Sequence, residues 1–137
     1  MIYIDANYWI YYLDSRLPEH KYVIEPMRKA IHEGIVMNLV TLVEITHYLR
    51  HLPEKELIRK IRTIQNLATL RLIELDTKLF DVALKKLIKY VHAGIGGRDS
   101  VILATMEITD TKRIATHDEA FKRVKEIEVV DTIKRHM

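Results

Sequence analysis

The sequence predicts an α/β protein, a three-layer α/β/α sandwich built on a five-stranded, mainly parallel sheet. Three observations carry this expectation. Short apolar runs alternate with stretches of helical period along the whole chain. The first run, Ile2–Ile4, is apolar throughout, as strands covered on both faces are. Residues 100–108 are apolar nearly all round, which suits a helix buried between layers.

At 137 residues the chain is expected to form a single domain over 1–137, long enough for a full core. Its composition, 48% hydrophobic and 30% charged, is that of an ordinary globular chain rather than a disordered one. The absence of cysteine excludes a disulfide scaffold and thiolate chemistry. No basic stretch leads into an apolar one at the start, so no secretory signal is expected. No apolar run approaches the roughly 18 residues that a membrane span needs, and a cytoplasmic location without membrane contact is expected. The net charge of +3 is mildly basic and suits a polyanionic partner without demanding one.

Ile2–Ile4 is the first strand, expected at the centre of the sheet, and it ends on Asp5. A helix over 7–14 follows, in which Tyr8, Trp9, Tyr11 and Tyr12 form an aromatic cluster. They read either as core packing or as a stacking or dimer surface. Pro18 marks a loop, and 20–33 has helical spacing with Pro26 inside it, so this helix either starts there or is kinked. Gly34 ends it. The second strand is expected over 35–40, with Thr41 as the next N-cap and Glu44 completing a capping-box spacing. The helix over 42–52 carries Leu42, Ile45, Leu49 and Leu52 as its apolar stripe. Pro53 is expected at the first position of another helix, whose outer face (Lys55, Arg59, Lys60, Arg62) is basic. The third strand is expected over 71–75, and Asp76 starts a strongly periodic helix closed by Gly94. A Gly-rich loop then presents Asp99 at the head of the helix over 100–108. The fourth strand, over 113–116, leads to Asp118, a short helix over 119–125 follows, and Glu128–Val130 is the fifth strand.

The acids fall at corresponding places. Asp5 and Asp118 follow strands, Glu44 lies in the helix after the second strand, and Asp99 heads a buried helix. In a parallel sheet the carboxyl ends of the strands share one rim, where open α/β sheets carry their sites. Taken singly, each acid reads as a cap or turn residue. Together they repel, since two unit charges about 4 Å apart cost about 4 kcal/mol at an effective dielectric of about 20. Such a cluster persists by protonating, by spreading, or by binding a cation. All-oxygen ligands favour Mg²⁺ or Mn²⁺ over zinc. An ion held this way seeks phosphate, and the chemistry that follows is attack of water on a phosphodiester. Asn7 and Thr116 are then supporting or substrate-positioning groups, and Arg98 either meets a phosphate or is simply solvated.

Ile4-Asp5-Ala6-Asn7, Val43-Glu44, Arg98-Asp99-Ser100-Val101-Ile102-Leu103-Ala104 and Ala115-Thr116-His117-Asp118-Glu119-Ala120-Phe121 together resemble the PIN domain, in order and spacing along the whole chain. The likeness is greatest to the small VapC-type toxin ribonucleases of toxin–antitoxin pairs. The resemblance implies a five-stranded parallel sheet sandwiched by helices, with Asp5, Glu44, Asp99 and Asp118 as metal-binding catalytic acids. It also implies Mg²⁺- or Mn²⁺-dependent cleavage of RNA, a homodimer, and inhibition by a small antitoxin protein. One departure is Ala6-Asn7, where Ser or Thr often stands within two residues of the first acid. The same fold serving RNA processing or decay without an antitoxin, or a catalytically silent binding module, are the alternatives. A phospho-acceptor receiver domain expects an acid pair after the first strand and a lysine after the last, but Asp5 has no acidic neighbour and no lysine follows Val130 directly. His47 and His51 are four apart but lack the acid of a His-Glu-x-x-His zinc site. Gly94-Ile95-Gly96-Gly97 follows a helix, so it is no dinucleotide fingerprint. His117 is expected exposed at the rim, and Lys85, Lys86 and Lys89 on a solvated helix face.

Overall fold

The computed structural model describes residues 1–134, so residues 135–137 of the expected 1–137 domain lie outside the described residues. The elements run β1 (Ile2–Ile4), α1 (Ala6–Leu13), α2 (His20–Glu33), β2 (Ile35–Asn38), α3 (Leu39–Leu49), α4 (Glu54–Gln65), β3 (Leu70–Ile73), α5 (Thr77–Lys89), α6 (Gly97–Ile108), β4 (Arg113–Ala115) and β5 (Glu128–Val130). Short 3₁₀ turns occupy Val91–Ala93 and Glu119–Arg123. The five strands form one sheet in the order β3-β2-β1-β4-β5, every pairing parallel. The expected sandwich is therefore observed, with β1 at the centre.

The period of two along each strand divides the core. Ile2, Ile4, Ile35, Met37 and Ala115 face the cluster that includes Trp9, Val23, Met27, Ile45 and Ile64, from α1 to α4. Tyr3, Val36 and Ile114 face Ile102, Leu103, Met106 and Phe121 on the other side. Helix α6 is buried there because α5 packs over it, through Leu79, Ala83, Val101 and Ala104. Of the aromatic cluster, Tyr8 and Trp9 are fully buried, so they are core.

Several element ends differ from expectation for local reasons. Strand β2 stops at Asn38, whose Oδ1 accepts from the Val40 amide at 2.9 Å and so caps α3. Thr41 is thus inside the helix, fully buried, with its hydroxyl 2.7 Å from the Tyr3 hydroxyl. Pro53 precedes α4 as its cap residue rather than opening it. Helix α5 ends before Gly94, which sits in the left-handed region (φ 86°) after the 3₁₀ turn. Helix α2 runs through Pro26, which cannot donate to the Tyr22 carbonyl one turn back. The Thr132 hydroxyl donates to that carbonyl instead, at 2.7 Å. Lys86 is largely buried and pairs with Glu107 at 2.9 Å and Glu126 at 3.1 Å, so only part of the expected lysine face is solvated.

A polar lock joins β1, β2, α3 and α6 beneath the rim. The Asn38 amide donates to the Tyr3 hydroxyl at 3.0 Å, and Asn38 Nδ2 donates to Thr105 Oγ1 at 3.0 Å. Burial pushes the Tyr3 hydroxyl well above the usual tyrosine pKa, so it remains a neutral partner. Tyr3→Phe leaves the Asn38 amide and Thr41 without that oxygen. The expected loss is about 1–3 kcal/mol, read as a lower urea midpoint with an unchanged denaturant slope.

Candidate active site

The chain runs from β1 outward to β2 and β3 and returns to the other side of β1 as β4. The sheet's switch point therefore lies beside β1, and open α/β sheets carry their sites at the carboxyl ends there. Asp5 leaves β1 at this point and is 1% exposed. It caps α1: Oδ1 accepts from the Ala6 amide at 2.7 Å. Its other oxygen, Oδ2, accepts from the Thr116 hydroxyl at 2.7 Å. Asp118 caps the turn Glu119–Arg123 through Oδ1, which accepts from the Ala120 amide at 3.0 Å. The capping and the site readings of these two acids therefore hold together.

Glu44 lies in the second turn of α3, because that helix starts at Leu39 rather than after Thr41; the expected capping box does not form. Asp99 is in the first turn of α6 but does not head it, since Gly96 is the cap residue. The positive end of that helix favours a carboxylate there.

Arg98 joins the set. Its Nη1 is 2.9 Å from Asp5 Oδ1 and 3.1 Å from Glu44 Oε1. Its Nη2 is 2.8 Å from Asp99 Oδ1 and 3.8 Å from Asp118 Oδ2. All four acids thus meet around one guanidinium, which is not merely solvated. Proximity is not full satisfaction: Glu44 Oε1 and Asp99 Oδ1 are buried, and neither has an aligned hydrogen-bond donor. Burial raises the pKa of both carboxyls; Arg98 opposes the shift, and neighbouring acids reinforce it. Burial alone would weaken the Arg98 charge, but Asp5, Asp99 and Glu44 outweigh it and hold the guanidinium charged.

Thr116 and Asn7 fix the frame. Thr116 Oγ1, besides donating to Asp5, accepts from the Asp118 amide at 3.1 Å and from Asn7 Nδ2 at 3.4 Å. Asn7 Oδ1 accepts from the His117 amide at 3.3 Å. Two residues beside the rim have roles the sequence reading did not give. Asp131, just after β5, binds His117 Nδ1 at 2.9 Å and Lys122 at 2.9 Å. Lys122 and His117 hold its carboxyl below the usual range despite its burial. His117 is accordingly half-buried rather than exposed. The available signal was positional, since Asp131 follows a parallel strand as Asp5 does. His47 is exposed, and His51 Nδ1 lies 3.1 Å from the Tyr48 carbonyl.

The donor set, four carboxylates of which two present buried oxygens without an aligned hydrogen bond, fits a hard divalent cation. Among the described residues, no three acidic or histidine side chains stand close enough to hold an ion as they are. The guanidinium lies between them.

A doubly wound parallel sheet with acids gathered at its switch point is the class that fold and site define. Comparison with known families gives it a name. The PIN domain model matches residues 2–127, and the chain belongs to the PIN domain family. Among solved structures it is similar to Mycobacterium tuberculosis VapC20, a sarcin-ricin loop cleaving toxin: TM-score 0.77, 13% identity, covering 91% of this chain and 95% of that one. It is similar to a chain of FitAB bound to a DNA fragment, at TM-score 0.74 and 19% identity over 100% of each chain. A chain of Rickettsia felis VapBC2 bound to a promoter fragment gives TM-score 0.69 and 18% identity, covering 96% and 98%. At these identities the likeness is one of fold. No curated protein matches.

Thr116→Val strips a donor from the buried Asp5 carboxylate and an acceptor from the Asp118 amide; a loss of about 1–3 kcal/mol is expected in chemical unfolding. The raised carboxyls have a signed pH effect. The fold keeps protons on Asp99 and Glu44 that the unfolded chain releases near 3.8 and 4.5. Their contribution to stability therefore falls as pH rises through that window toward the raised folded values. Asp99→Asn removes the Asp99 part. In EDTA the difference in melting temperature, Asp99→Asn minus wild type, should grow more positive from pH 4 to pH 7.

Proposed function

We propose that this chain is a metal-dependent endoribonuclease, the toxin of a type II toxin–antitoxin pair, acting in the cytoplasm as one PIN domain spanning 1–137. The carrying observation is the meeting of Asp5, Glu44, Asp99 and Asp118 at the sheet's switch point, with buried oxygens on Glu44 and Asp99 that lie beside Arg98 but accept no aligned hydrogen bond. These four are the residues that hold Mg²⁺ or Mn²⁺. Such an ion, when bound, lowers the pKa of a water molecule and offsets charge on a scissile phosphate.

The chain's own groups prepare the site. Thr116 fixes the Asp5 carboxylate, and Asn7 ties the start of α1 to the end of β4. Arg98 is 31% exposed and within reach of an RNA phosphate entering at the rim. A groove lined by Ile10, Val43, Glu44, His47, Tyr48 and Arg50 shares Glu44 with the site and offers a path for RNA. The homodimer reading draws on α5, where Phe80, Leu84 and Ile88 are exposed on one helix face, continued by Val91. The antitoxin reading draws on the fold shared with VapBC and FitAB complexes. No helix of the described residues is long and apolar enough to cross a membrane.

RNA cleavage tests the activity. Wild type should cut RNA with Mg²⁺ or Mn²⁺ and stop in EDTA, and Asp5→Asn or Asp99→Asn should lose about 100-fold or more. Equal cleavage by all three folded proteins would sink the reading.

A further inference from the structure

Arg98 is the second residue of α6, and each of its two terminal nitrogens contacts two of the acids. Those contacts, from 2.8 to 3.8 Å, spread the carboxylates around a cation wider than a metal ion. A hard divalent ion asks for oxygens at about 2.0–2.1 Å and for the space the guanidinium fills. A doubly charged ion beside a guanidinium is also repelled by it. Arginine does not deprotonate in proteins, so it leaves such a site only by swinging its side chain out. Arg98 has solvent to swing into, since its side chain is 31% exposed.

We propose that Arg98 is a built-in counter-cation that occupies the four-acid site in the metal-free protein and competes with the divalent ion for it. Arg98 thereby stabilises the empty site and sets the metal affinity lower than the four carboxylates alone would give. This rests on the metal reading of the site. The population with the guanidinium withdrawn is the binding-competent one, and apparent affinity scales with its fraction.

The test measures Mn²⁺ binding by calorimetry, and melting temperature with EDTA or Mn²⁺, for wild type, Arg98→Gln and Arg98→Lys. Arg98→Gln should bind Mn²⁺ about tenfold or more tighter than wild type. It should melt lower in EDTA and gain more from Mn²⁺. Arg98→Lys keeps a charge but cannot bridge four acids, and should bind with intermediate affinity. Equal or weaker binding by folded Arg98→Gln overturns the proposal while leaving the metal site standing. Should Arg98→Gln fail to fold, wild-type affinity in Arg98→Lys overturns it equally. Absence of Mn²⁺ binding in all three proteins overturns the metal reading itself, and the competition with it.

Discussion

Like charges held at one edge of a sheet set the terms for this molecule. Parallel strands bring their carboxyl ends to a common rim, and this chain places acids at or near that rim on four separate segments. Asp5, Glu44, Asp99 and Asp118 cannot all remain ionised and close without a positive charge among them. The guanidinium of Arg98 supplies it, adjacent in sequence to one acid and in contact with all four. Burial raises the carboxyl pKa of Glu44 and Asp99 even so, with Arg98 opposing the shift and the neighbouring acids adding to it.

The scaffold beneath the rim is correspondingly firm. Residues on one face of β1 and β2 pack against α1 to α4, and those on the other against α6. Between these apolar layers Tyr3, Asn38, Thr41 and Thr105 form a buried hydrogen-bonded group. Unmade bonds there would leave desolvated polar atoms, which is why such groups hold a single arrangement. Asp5 and Asp118 each serve both the backbone and the rim, one oxygen on a helix or turn amide and a carboxylate edge toward Arg98. A residue that caps an element has a fixed position, and a carboxylate so fixed points where the element's start points.

The layered fold and its central strand were legible because burial on both faces leaves a strong mark, uninterrupted apolar residues in Ile2–Ile4 and a stretch apolar nearly all round over residues 100–108 of α6. The PIN resemblance was legible because its motifs are local in sequence, and the match over residues 2–127 bears it out. Element ends were less so. Thr41 and Asn38 are both good caps, and the choice fell to Asn38 because Tyr3 draws Thr41 into the core. Pro26 was ambiguous because the hydroxyl that relieves its helix comes from Thr132, far along the chain.

By itself the sequence determined the class of fold, the family, and the order of the acids along the chain, since these depend on residue types at short spacing. Tertiary structure alone decided how those acids meet. Asp5 and Asp118 lie on opposite sides of more than a hundred residues, and only the pairing of β1 with β4 brings them to one rim. The part played by Arg98 was decided there too. A long flexible side chain has no preferred partner until folding places four negative charges within its reach, and the same is true of Asp131, His117 and Lys122 beside it.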